Sequence, residues 1–152
     1  MRALIPLAAA ALAVALSPPL CAAGLDEKPP DQQSIDALQI KASQAQPREQ
    51  CFLYALLVQE MTEYSLRQYA AGNVAKANDL LRQVQQLAQK IHRSAAADNK
   101  RLKNAEILLR RTAFRLNEML HSSSSEDRPL VAETLAQVNQ AENQAMLQVF
   151  RK

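Results

Sequence analysis

No tryptophan occurs among the 152 residues, and the aromatic side chains together make up only 4%. Platforms on which sugar rings or bases could stack are therefore scarce, and nucleic acid is not expected as a partner. Glycine is equally rare: there are two, and only Gly72 lies away from the N-terminal segment. Strand-rich folds need turn glycines and β-branched residues. Here Ala, Leu, Gln, Lys, Arg and Glu dominate, all of them good helix formers. The two histidines, His92 and His121, are not at helical spacing, a single Glu-x-x-His (Glu118 to His121) stands where a di-metal site needs two, and no Cys-x-x-Cys-His motif is present. A carboxylate-bridged di-metal site and covalent haem are thereby unsupported. A metal or haem carrier survives only as a pairing of Met61 with His92, and no cofactor is expected. Glu60 and Glu63 lie on an arc beside Arg67 and read as solvated. The serines 122–125 show no serine–base arrangement and read as a loop. With no catalytic motif, the chain does not read as an enzyme.

What is present begins at the N-terminus. Arg2 precedes an apolar run from Ala3 to Leu16, then Ser17-Pro18-Pro19 and the small residues Cys21-Ala22-Ala23. This is the layout of a cleavable secretory signal over residues 1–23. The run falls short of the ~20 residues that span a bilayer, so no transmembrane segment is expected after cleavage. The mature chain is expected in the periplasm or secreted. Only Arg2 among the charged residues leaves with the signal, so the balance of the remainder is +2. That is too small to demand a polyanion. Cys21 leaves as well, which strands Cys51 in an oxidising compartment without an internal partner.

Residues 24–30 read as a flexible charged lead-in, and 31–152 as a single helical domain. A short helix with Ile35, Leu38 and Ala42 on one side precedes Pro47. A second helix from about 47 to 71 carries Cys51, Tyr54, Leu57, Val58, Met61, Tyr64 and Ser65 at helical spacing, widened by Leu53 and Leu56. Glu63 and Arg67 form an i,i+4 pair within it. Gly72 and Asn73 then supply a C-cap and an N-cap. A third seam runs through Ala77, Leu81, Val84, Ala88, Ile91 and Ala95, and a fourth through Leu102, Ala105, Leu109, Thr112, Leu116 and Met119. Their phase is nearly continuous across Asp98, so 74–121 reads either as one rod or as two helices with a turn at 98–99. A last helix, capped by Asp127 with Pro129 in its first turn, carries Val131, Leu135, Val138, Ala145 and Val149. It bears a glutamine-rich face of Gln137, Gln140, Gln144 and Gln148. The expected fold is all-α: an antiparallel helical bundle of three to four long helices plus a short N-terminal helix.

Gly72-Asn73 with Ala77 and Leu81 resembles the second half of a tetratricopeptide repeat. The resemblance covers about ten residues. Val84 departs from the pattern, no proline follows, and Glu106 and Arg111 stand where a following repeat would place Gly and Ala. An array needs about three stacked repeats, so the match reads as a generic helical hairpin.

Charge is distributed unevenly. Between Lys90 and Arg115 eight basic residues face only Asp98 and Glu106. The candidate anion- or partner-binding residues are Lys100, Arg101, Lys103, Arg110, Arg111 and Arg115, and Cys51 is a candidate intermolecular thiol. The expected function is protein–protein interaction in the cell envelope or periplasm, with another protein or with a second copy in a homodimer. The alternative is binding of an anionic lipid surface or polyanion through residues 90–115.

Overall fold

Each apolar seam becomes the inner edge of a helix. The computed structural model describes residues 28–151, in which α1 (Gln32–Gln44), α2 (Pro47–Ala70), α3 (Val74–Ser94), α4 (Leu102–Ser122) and α5 (Arg128–Val149) follow one another. No strand occurs among the described residues. The signal peptide expected over 1–23 and most of the lead-in expected over 24–30 lie outside them. Every residue of the α3 and α4 seams is buried, as are Cys51, Leu57, Val58, Met61 and Ser65 of α2 and Val131, Val138 and Ala145 of α5.

Local chemistry sets most helix ends. Asp31 accepts a hydrogen bond from the Ser34 amide at 2.8 Å, and the Ser34 hydroxyl accepts one from the Asp31 amide at 3.0 Å. This reciprocal box satisfies two donors at the start of α1. Pro47 opens α2 at a position where its missing N–H costs nothing. Gly72, with φ +83°, ends it. The Gly72 amide donates to the Tyr69 carbonyl and the Asn73 amide to the Gln68 carbonyl, closing the helix in the left-handed geometry that glycine adopts without strain. The expected side-chain caps are not formed. Asn73 donates instead to the Gln68 side chain, and Asp127 turns away from its helix toward α2 and α3.

Between α3 and α4 the alternatives resolve into a turn. The helix stops at Ser94, and residues 95–101 are held against the start of α2. The Lys100 amide donates to the Arg48 carbonyl at 2.8 Å, and Arg48 Nε donates to the Asp98 carbonyl at 3.0 Å. Asn99 accepts from the Ala96 amide. Arg101 takes the left-handed conformation (φ 56°) from which α4 departs.

Contacts between helices fix the arrangement. α2 packs on α1, α3 and α4, α5 packs on α3 and α4, and α3 makes no close approach to α4. Four long helices therefore ring the core in the order α2, α3, α5, α4, with the sequence neighbours α3 and α4 at opposite corners. Short turns make α2/α3 and α4/α5 antiparallel hairpins, and the two hairpins lie side by side so that α2 runs parallel to α4 and α3 to α5. The pairings show this. Asn78 reaches Asp127, Gln85 reaches Thr134 and His92 reaches the Gln140 carbonyl, at nearly constant sequence offset. On the other side Glu49 meets Lys100 and Glu63 meets Arg115. α1 lies antiparallel on the outside of α2, its C-terminal Ala45 carbonyl accepting from the Gln50 side chain at 3.1 Å.

Candidate partner-binding surface

The basic segment divides into three groups once it is folded. Arg115 and Arg110 are paired with carboxylates of the bundle itself. Arg115 forks onto Glu63 of α2 (2.9 and 3.3 Å) and also pairs with Glu118. Hydrogen bonds that its guanidinium donates to both carboxylates hold it above the usual arginine range. This cross-helix fork replaces the expected Glu63–Arg67 pair, and Arg67 instead stands 5.5 Å from the centre of the Tyr64 ring. Arg110 bridges Glu106 on its own helix and Glu142 of α5 at 3.5 Å. Glu106 is buried, so this arginine offsets the cost of taking that carboxylate out of water.

Lys100 and Arg101 belong to the turn. Lys100 pairs with Glu49 at 2.9 Å. The Arg101 guanidinium lies 3.6 Å over the Phe52 ring, close enough for a cation–π interaction. Lys103 and Arg111 form the third group. Both are exposed, and neither makes an ion pair among the described residues. The structure thus withdraws Arg110 and Arg115 from the candidate surface and leaves Arg101, Lys103 and Arg111 with their charge directed outward.

Arg101 and Arg111 border a groove. Because α1 rests on α2 alone, a channel remains between α1 and α4 with α2 as its floor. Its centre is a cavity of about 440 Å³ lined by Phe52, Leu53 and Leu56 of α2, Lys41 of α1, and Glu49, Lys100 and Arg101. A further 290 Å³ continues along α4 past Asn104, Ile107, Leu108 and Arg111, sharing Phe52, Leu56 and Arg101 with the first. Toward Pro30 and Ser34 the lining keeps Leu56, Leu108 and Arg111 and adds Gln59, Glu60, Glu63 and Lys28. One end is therefore apolar with a cationic rim, and the other carries both carboxylates and cations.

Sequence reasoning missed Lys41, Phe52, Leu56, Ile107 and Leu108 as a set. Periodicity shows which residues turn inward but not which outer residues of different helices share a groove. One signal was available. Ile107 and Phe114 are seven residues apart on α4, off its buried seam, and both are exposed.

The remaining candidates stand elsewhere. Cys51 does not present itself to a partner. It is 1% exposed in the core, and burial pushes its thiol up to about 11. It behaves as a small apolar side chain, and an intermolecular disulfide would require α2 to leave the bundle. Met61 is fully buried whereas His92 is exposed beside α5, so the two occupy different environments. His121 Nδ1 lies 2.7 Å from the Asn117 carbonyl of its own helix. Among the described residues, no group of three or more His, Cys, Asp or Glu side chains could hold a metal ion. The serine loop docks on Tyr69, whose hydroxyl accepts from the Ser124 amide at 3.0 Å. The glutamine-rich face is split, with Gln140 exposed and Gln137, Gln144 and Gln148 half-buried. Near the end of α5, Leu147 and Phe150 are exposed.

In comparisons with known proteins, the chain matches no family model, no curated protein sequence and no solved structure.

Proposed function

We propose that this protein is an exported helical module that acts by docking another protein and performs no chemistry of its own. The observation that carries this reading is the groove between α1, α2 and α4, where half-buried apolar side chains lie beneath arginines and a lysine that no carboxylate of the described chain neutralises. Concave apolar surface with convergent charged groups is the usual form of a binding site. Export rests on the N-terminal layout of charge, apolar run and small residues. It accords with the absence, among the described residues, of any helix long and apolar enough to cross a membrane.

Crosslinking in the intact envelope, followed by purification and sedimentation of the complex, tests this reading. A discrete heteromeric or homodimeric complex is expected. A strictly monomeric protein that yields no crosslinked species would overturn it.

A second reading, adsorption to an anionic membrane surface, draws on the exposed Ile107 and Phe114 of α4 with Lys103 and Arg111 near them. Salt-dependent co-sedimentation with anionic vesicles separates the two.

A further inference from the structure

We infer that the Phe52–Arg101 end of the groove receives an acidic, amphipathic helical segment of a partner protein. Apolar side chains of that segment would sit on Phe52, Leu56 and Leu108, and its carboxylates would face Lys41, Arg101 and Arg111. The inference rests on the protein-docking reading above and names the site and the chemistry of its occupant.

Charge complementarity sets the sign of the partner. Of the charged side chains lining this end, Lys100 and Glu49 cancel each other at 2.9 Å. Lys41, Arg101 and Arg111 form no ion pair among the described residues; Arg111 also borders the stretch lined by Glu60 and Glu63, so the outward charge of this end is carried chiefly by Lys41 and Arg101. Shape sets its form. Phe52 and Leu56 are one helical turn apart, about 6 Å along the axis. A helix presenting apolar residues at i and i+4 matches that span, the mode by which amphipathic helices enter grooves. A lipid surface fits less well here, because Phe52 and Leu56 are half-buried on the floor of a channel and not raised on its rim.

Arg101 supplies the independent observation. Its backbone is left-handed, a region that side chains other than glycine enter only against steric strain. A glycine would relieve that strain, yet the position carries an arginine laid flat on the Phe52 ring. Guanidinium carries five N–H donors in a planar fork. Stacked on the ring, with no carboxylate paired to it among the described residues, it is held ready for a carboxylate from outside. Strain retained at a surface position of this kind is a mark of function.

The test uses the processed full chain and a fluorescein-labelled helical peptide of about 15 residues, with Leu at i and i+4 and Glu along both flanks. Anisotropy is expected to show saturable binding that weakens as salt rises. Amide shifts should cluster at Phe52, Leu56, Asn104 and Ile107. Arg111→Gln, at an exposed site that should not disturb folding, is expected to weaken binding about tenfold. Arg101→Gly is expected to weaken it similarly while leaving the melting temperature unchanged or higher. A peptide with Gln in place of Glu should bind at least about tenfold more weakly.

Shifts confined to Leu147 and Phe150 would overturn the groove assignment while leaving the protein-docking reading in place. So would peptide binding that neither Arg111→Gln nor Arg101→Gly changes. Binding of anionic vesicles with no binding of the peptide would overturn it in favour of a membrane surface. Absence of both, with Arg101→Gly lowering the melting temperature, would show that Arg101 serves the turn alone.

Discussion

Where α3 runs beside α5, the outer seam is closed by neutral or singly charged hydrogen bonds. Asn78 donates to Asp127 at 3.0 Å, Gln85 to the Thr134 hydroxyl at 2.9 Å, and His92 lies 3.4 Å from the Gln140 carbonyl, each pair about two turns beyond the last. Where α2 runs beside α4, the contacts are ionic: Glu49 with Lys100 and Glu63 with Arg115, with Arg48 and Asp98 3.6 Å apart at the end. The first seam fixes register. Beside the second, α1 rests on α2 and not on α4, and the groove left between α1 and α4 is floored by Phe52 and Leu56. Both sides share one apolar core, so the difference lies in what each side can offer a partner.

The largest effect should come from the shared core and should not distinguish the seams. Leu109 is fully buried, and Leu109→Ala is expected to cost about 2–5 kcal/mol in denaturant unfolding. A cost below about 1 kcal/mol would mean that the core is not packed as described.

Cys51 next reports whether the α2 side opens. With the thiol raised from 9.0 to about 11, the thiolate fraction near pH 8 alone slows alkylation roughly a hundredfold, before steric exclusion is counted. Labelling should follow global unfolding. Rapid labelling under native conditions would show that the ionic seam breathes.

The seams themselves should differ in their response to salt. Arg115→Gln is expected to cost up to about 1 kcal/mol at low ionic strength and less at 0.5 M salt, because the fork is partly exposed. Gln85→Leu on the other side is expected to change stability by about 1 kcal/mol at either salt concentration. Equal salt responses would remove the distinction.

Asp127 tests the neutral seam by pH. Asn78, Ser124 and Tyr69 hydrogen-bond its carboxylate and lower its pKa below 3.8. A carboxyl depressed in the folded state contributes stability that is fully present above its unfolded pKa and disappears as pH falls through the folded value. Wild type should therefore lose stability below about pH 3.8 more steeply than Asp127→Asn. Parallel acid-unfolding curves would show that the network contributes nothing.

The smallest effect belongs to Thr62, whose buried hydroxyl has no hydrogen-bond partner among the described residues. Thr62→Val should be neutral or stabilising, because it removes an unsatisfied polar atom while keeping the shape. A clear loss of stability would mean that the hydroxyl is paired in solution.

The inner faces were legible in the sequence because Ala and Leu repeat at three- and four-residue steps. From Ala77 to Met119, every residue of the two seams is buried. The end of α3 was not legible. The turn places Arg101, not glycine, in the left-handed region, so nothing in the composition announces it. Order around the ring was not legible either, since a seam names its inward residues without naming their neighbours. Glu63 shows the limit. Spacing pairs it with Arg67 one turn on, whereas the fold delivers Arg115 from another helix. The candidate surface was read for its charge and not for its apolar floor, because Lys41, Phe52 and Ile107 come from three helices.

The proposed docking side is the groove between α1 and α4, floored by α2. Photo-crosslinking residues placed at Asn104 in the groove and at the exposed Gln86 on α3 test it most directly in the intact envelope. A discrete protein adduct is expected from position 104, lost on Arg111→Gln, and none from position 86. Equal adducts from both positions, or an adduct from 86 alone, would contradict it.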